Sequence, residues 1–142
     1  AGTLSGIEAE GNGAAVARLL AASAAVEAGD TDGAVAALDA VADDAGVDVY
    51  YRDLARLKSL LLQTDAIAPA DRIAALEPLA VAGRPYRLLA EEQIALAEIE
   101  MGDTASAIDR LRRLSEDTDA SATLRRRAQE LIVALGGTPS PA

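Results

Sequence analysis

The sequence predicts an all-α protein built from stacked antiparallel helix hairpins. Of its 142 residues, 34 are Ala and 19 are Leu, whereas Phe, Trp, Cys and His do not occur. Small and unbranched side chains favour close-packed helices over sheets, whose strands are rich in β-branched and aromatic residues. A hydrophobic fraction of 51% with 25% charged residues is typical of a globular chain. At this length we expect a single domain, over residues 1–137.

A pattern of turn and helix residues occurs twice, 73 residues apart. A Gly-Asp-Thr triplet begins at residue 29 and again at residue 102. Gly after a helix permits a left-handed turn, and the following Asp or Thr can cap the next helix. In both copies Ala follows five residues after Gly and Leu nine residues after it, on one face of a helix. The residues that define the repeat are Gly29, Ala34, Leu38, Gly102, Ala107 and Leu111.

A second offset, of 34 residues, relates the start of the chain to its middle. It aligns Leu4 with Leu38 and Arg18 with Arg52. Recurrence near this length is typical of arrays of helical hairpins. Residues 1–10 are therefore predicted to be the remnant of a truncated repeat, followed by a turn at 11–13 (Gly-Asn-Gly).

The expected elements are about seven helices after that truncated N-terminal one. Repeats cover 13–45, 48–82 and 85–117, a capping helix covers 121–135, and 138–142 is predicted to be a disordered tail. The expected helical ranges are 2–9, 13–28, 31–44, 48–64, 70–82, 85–101, 104–117 and 121–135.

These residues resemble the tetratricopeptide repeat. The turn glycines lie where that repeat joins its two helices, and Ala22 and Ala95 match its small residue in the first helix. Leu38 and Leu111 stand where the family often has Phe or Tyr. The sequence departs from the family in lacking the early bulky aromatic residue and the Pro that ends each repeat. The resemblance implies a right-handed superhelical array of helix hairpins.

More narrowly, the chain looks like the periplasmic domain of the YfgM-like family, in its alphaproteobacterial form. The resemblance is carried by segments 17–22 (ARLLAA) with 27–30 (EAGD), 52–57 (RDLARL), 76–80 (LEPLA) with 83–86 (GRPY), and 128–131 (AQEL). It implies an inner-membrane protein anchored upstream of this fragment, whose soluble domain lies on the periplasmic side. The implied partners are proteins or peptides of the translocon and of the periplasmic chaperones.

Charge excludes some partners at the outset. The net charge is −10, from 23 acidic and 13 basic residues. Such a chain repels phosphate backbones and anionic membrane surfaces, so we expect neither nucleic-acid nor membrane-surface binding. The arginines at 110, 112 and 113 and at 125–127 are interspersed with acids, and we expect them to form ion pairs on helix surfaces.

The residue types also argue against catalysis. Without His or Cys there is no imidazole base, no thiol nucleophile and no transition-metal site of the usual kind. The adjacent acids Glu91-Glu92 and Asp43-Asp44 point about 100° apart on a helix, which indicates a solvated face. The stretch Asp30–Gly33 lacks the later ligands of a calcium loop. We expect no enzyme, no cofactor and no metal.

A stacked array of hairpins presents a groove lined by the first helices of its repeats. The residues predicted to line it are Leu19, Ser23, Tyr50, Asp53, Leu57, Glu92 and Leu96. Apolar and acidic side chains there suit an apolar or basic peptide. In the alternative interpretation Tyr50, Leu57 and Leu60 pack between repeats.

Two hypotheses for the function follow. The first is a non-enzymatic protein–protein interaction module of a membrane-anchored export or chaperone accessory factor. The second is a soluble helical-repeat scaffold or self-assembly domain without a link to export. A homodimer through the face that the truncated repeat exposes, at Leu4, Ile7 and Val16, is a further possibility.

Overall fold

The described residues form seven α-helices and no strand. The computed structural model describes residues 2–139, and their side chains from residue 11 onward. The all-helical class predicted from the sequence is confirmed. The helices are α1 (Gly2–Glu27), α2 (Thr31–Ala42), α3 (Val49–Leu62), α4 (Pro69–Leu76), α5 (Arg87–Glu100), α6 (Thr104–Glu116) and α7 (Ala122–Ala134).

The two Gly-Asp turns have the same geometry. Gly29 and Gly102 have φ values of 78° and 79°, in the left-handed region that Gly adopts without strain. The next residue caps the following helix: Asp30 accepts a hydrogen bond from the Gly33 amide at 2.9 Å, and Asp103 from the Ser106 amide at 3.3 Å. The predicted helix–turn–helix unit is confirmed at both places.

The turn predicted at 11–13 is wrong, because α1 runs through it without interruption. Gly11 lies there because two backbone segments approach closely. A Cβ atom at Gly11 would be 2.6 Å from the carbonyl oxygen of Gly46. The side chain of Asn12 accepts a hydrogen bond from the Asp48 amide at 3.0 Å. The predicted remnant over 1–10 is therefore the front of α1, although Ala1 and the side chains of 1–10 lie outside the described part.

The helix predicted over 70–82 is also too long. It ends at Leu76 and gives way to a short 3₁₀ helix, Glu77–Leu79. Pro78 has no amide hydrogen and its ring clashes with the carbonyl one turn earlier, so the α-helix cannot continue through it. The tail predicted over 138–142 falls largely outside the described residues; Thr138 and Pro139 are not helical.

The first of two compact units contains α1, α2 and α3 with the segment Gly83–Pro85. Within it α2 packs against both α1 and α3. Alanines allow this close approach, since Ala15, Ala34 and Ala55 are completely buried. The core is completed by larger side chains, and its buried members are Ala15, Ala22, Ala34, Leu38, Val41, Val47 and Ala55.

The second unit contains α4 to α7. Here α5 packs against α4 and α6, and α6 packs against α7. Ala107 and Leu111, predicted from the repeat to lie inside, are completely buried. Their counterparts in the first unit, Ala34 and Leu38, are 0% and 2% exposed. The buried core of this unit comprises Ala95, Leu111, Leu114, Ala120, Leu124, Ala128 and Ile132.

None of the helices in the described part of the chain combines the length and apolar character needed to cross a bilayer.

Candidate functional site

The first unit has an apolar groove between α1 and α3. Its volume is about 440 Å³, within the range of ordinary ligand pockets. We call it the α1–α3 groove; its lining residues are Leu19, Ala22, Ser23, Val26, Glu27, Leu38, Lys58, Leu61 and Leu62. Two of the residues predicted to line a groove, Leu19 and Ser23, are therefore brought together here.

Two short side chains of α1, Ala22 and Ser23, lie in the groove. Ala22 and Leu38 are buried, and Ser23 on the next position of α1 is short. By contrast, Val26 and Leu61 at its edges remain 44% and 45% exposed. Large apolar side chains left in water beside a concave surface are typical of a protein-binding site.

Two of the described residues that line the α1–α3 groove are charged, and their signs are opposite. Glu27 is the last residue of α1, and Lys58, the only Lys in the chain, lies on α3. Both side chains are exposed, and neither forms an ion pair with another described residue. They differ in this from the nearby Arg56, which contacts both Asp39 and Asp43.

The groove position predicted for Asp53 is wrong. Its side chain is only 4% exposed, and both carboxylate oxygens accept hydrogen bonds from Arg84, at 2.8 and 2.6 Å. The hydrogen bond to Asp53 raises the pKa of Arg84 against the opposing effect of burial. Asp53 therefore ties the segment after α4 to α3 within the first unit. It is not available to select a peptide by charge.

Glu92 is likewise buried and paired, in the second unit. Arg127 on α7 donates two hydrogen bonds to it, at 3.0 and 2.9 Å. The neighbouring Glu91 accepts a hydrogen bond from Arg110 at 2.6 Å. The solvated face predicted for Glu91-Glu92 is thus wrong, because arginines from later helices bind both carboxylates.

The remaining predicted groove residues lie elsewhere. Leu57 is 4% exposed and Leu60 is also buried, so both pack inside, as the alternative interpretation had it. Tyr50 is half-exposed with its ring edge-on to Tyr51, 5.3 Å between centroids, and does not line the groove. Leu96 is half-buried on α5, in the second unit.

A second, smaller cavity of about 280 Å³ lies between α5 and α6. Its charged residues bind one another: Arg87 contacts Asp117 at 3.0 Å, and Arg110 contacts both Glu91 and Glu98. Burial alone would lower the pKa of Arg110, yet its hydrogen bonds to the two glutamates raise it. A hydrogen bond from the Asp119 amide, and then one from Arg87, lower the pKa of Asp117. These contacts stabilise the helix pair.

The other signals give no catalytic or metal site. The described residues contain no group of three or more potential ligands placed to hold a metal ion. Of the arginine clusters, Arg126 lies 3.7 Å from Glu130, and Arg112 donates to the backbone oxygen of Thr138. Glu27 and Lys58 were not among the residues predicted from the sequence to line a groove.

The chain matches no family model, and neither curated proteins nor solved structures give a match.

Proposed function

We propose that this chain is a non-enzymatic protein–protein interaction module. The observation that carries the proposal is the α1–α3 groove, an apolar concave surface whose edge residues Val26 and Leu61 stand exposed. Burying such side chains against another protein would supply about 25 cal/mol for each Å² of apolar area removed from water. The described residues that line this groove include neither a buried carboxylate pair nor a set of metal ligands, which an enzyme would use.

The biological setting that we propose comes from the resemblance described above. It is the periplasmic domain of a membrane-anchored accessory factor of protein export or of the chaperone network, with a tetratricopeptide-repeat-like superhelix. Two capped Gly-Asp turns 73 residues apart, each followed by a buried Ala and Leu, support the repeat part of the proposal.

Capture of partners by variants of the groove tests the proposal. The full-length protein would be used as bait in envelope extracts, as wild type, as Leu61→Asp and as Leu20→Asp. Leu61 lines the groove, whereas Leu20 is 67% exposed on α1 outside it, which makes it a matched control. We expect Leu61→Asp to lose translocon or chaperone components that wild type and Leu20→Asp retain. Equal capture by all three would contradict the proposal.

The second candidate function is self-assembly without a link to export. One observation favours it: the two charges of the α1–α3 groove are opposite in sign and equal in number. In that case the groove would bind only further copies of this chain, and no export or chaperone component would depend on Leu61.

A further inference from the structure

The described lining of the α1–α3 groove carries one positive and one negative charge, Lys58 and Glu27. Some exposed charges of the first unit form ion pairs, as Arg18 does with Asp44 at 3.5 Å. Glu27 and Lys58, by contrast, form no ion pair with any described residue. A carboxylate and an ammonium group on the border of an apolar surface are typical of the polar rim of a protein interface.

These charges constrain what can occupy the groove. A basic segment would bind Glu27 but be repelled by Lys58, and an acidic segment would do the reverse. A second copy related by a twofold axis satisfies both at once, because in such an interface residue i meets residue j and j meets i. Glu27 of each copy would then face Lys58 of the other.

The apolar part of the groove offers both large and small side chains to such a second copy. Val26 and Leu61 are large and exposed, whereas Ala22 and Ser23 are small. Under a twofold axis the large side chains of one copy can pack against the small ones of the other. The lining as a whole carries no net charge, whereas the chain carries −10, so here two copies can approach without the repulsion that opposes contact elsewhere.

We propose that a second copy of this chain occupies the α1–α3 groove, forming a twofold symmetric dimer with reciprocal Glu27–Lys58 ion pairs. This inference rests on the groove being the protein-binding surface proposed above, and it names the occupant. Dimerisation and the binding of another protein at this groove then exclude each other.

Exchange of the two charges tests the dimer by sedimentation equilibrium of the purified chain. Glu27→Lys and Lys58→Glu each turn two attractive contacts into two repulsive ones. From the strength of exposed ion pairs we expect either variant to raise the dimer dissociation constant about tenfold or more. The double variant Glu27→Lys/Lys58→Glu restores both pairs and should associate as wild type does.

Mixing the two single variants distinguishes a contact between copies from one within a chain. An equimolar mixture of Glu27→Lys and Lys58→Glu places opposite charges face to face in the mixed dimer, so association should return. A contact within one chain could not be restored by mixing. Asp65→Lys makes the same change in net charge as Glu27→Lys at an exposed site outside the groove, and should leave the dissociation constant within about twofold of wild type.

Several results would overturn the dimer. They are a wild-type chain that stays monomeric at all concentrations, single variants that associate as wild type does, and a mixture that remains monomeric. Circular dichroism of each variant verifies that it is folded, which we expect because both residues are exposed. If the wild type is monomeric while Leu61→Asp still loses envelope partners, the dimer is refuted and the proposed function stands.

Discussion

Two glycines one half-turn apart on α1 should respond in opposite ways to substitution by alanine. Gly13 has no atom within 4 Å of an added Cβ, whereas the Cβ of Gly11 would lie 2.6 Å from the Gly46 carbonyl oxygen. Ala in a helix is more stable than Gly by about 0.5–1 kcal/mol. Gly13→Ala should therefore raise the free energy of unfolding by that amount.

At Gly11 the steric conflict with Gly46 outweighs the stability that Ala would add to the helix. Ordinary van der Waals contact begins at 3.4 Å, so the backbone of α1 or of the segment at Gly46 must move. Forcing an extra methyl group into a packed contact costs about 1–3 kcal/mol. After subtraction of the helix gain, Gly11→Ala should lower the free energy of unfolding by about 1–2 kcal/mol. The gap between the two variants is then about 2 kcal/mol.

Urea unfolding followed by circular dichroism measures this gap. With a slope of about 2 kcal/mol per molar urea, the midpoints of the two variants should differ by about 1 M. The result also decides between helix and turn at 11–13. In a turn that held Gly13 in the left-handed region, Ala would be destabilising. A Gly13→Ala variant less stable than wild type would therefore refute the continuous α1.

Three further predictions concern ion pairs and caps. Arg84→Ala leaves Asp53 buried without its partner and should lower the free energy of unfolding by about 3 kcal/mol. The double variant with Asp53→Ala should lose less stability, because no carboxylate is then left buried without a partner. Equal losses for the two variants in urea melts would argue against a buried pair. Asp117 has a lowered pKa, so the stability that it contributes is complete above about pH 4 and is lost as the pH falls through its folded-state pKa. The difference between wild type and Asp117→Asn in urea melts should therefore shrink with acidification, and a constant difference would contradict this. Asp30→Ala removes the cap of α2 and should lower the stability by about 1 kcal/mol. Asp30→Asn can still accept the hydrogen bond and should lower it little. Thermal melts in which both variants lose the same stability would count against the cap.

The parts of the fold that the sequence predicted are those set by local chemistry. A Gly-Asp pair after an apolar helical run contains its own turn and its own cap, so the turns at Gly29 and Gly102 could be placed without the structure. The burial of Ala34 and Ala107 followed from their position in the same pattern.

The parts that it missed depend on distant residues. Asp53 meets an arginine 31 positions later and Glu92 one 35 positions later, and nothing in the spacing of a lone acid signals such a partner. Gly11 looked like a turn residue because its real constraint, the approach of Gly46, lies in another segment. Without these contacts, acids on the first helices seemed free to line a groove.

For the same reason, the sequence predicted part of the groove lining and missed the rest. Leu19 and Ser23 follow from the helical register of α1. Lys58 and Leu61, on the opposite wall, depend on how α3 packs beside α1, which the local pattern does not specify.

Site-specific photo-cross-linking tests the central claim, that another protein chain binds in the α1–α3 groove. A photoreactive residue would replace Ser23 in the groove or, in a parallel strain, Leu20 outside it, in the full-length protein in living cells. We predict a discrete adduct from position 23, with a second copy or with an envelope protein, and none of that size from position 20. Absence of any adduct at position 23, or the same adducts at both positions, would contradict the claim.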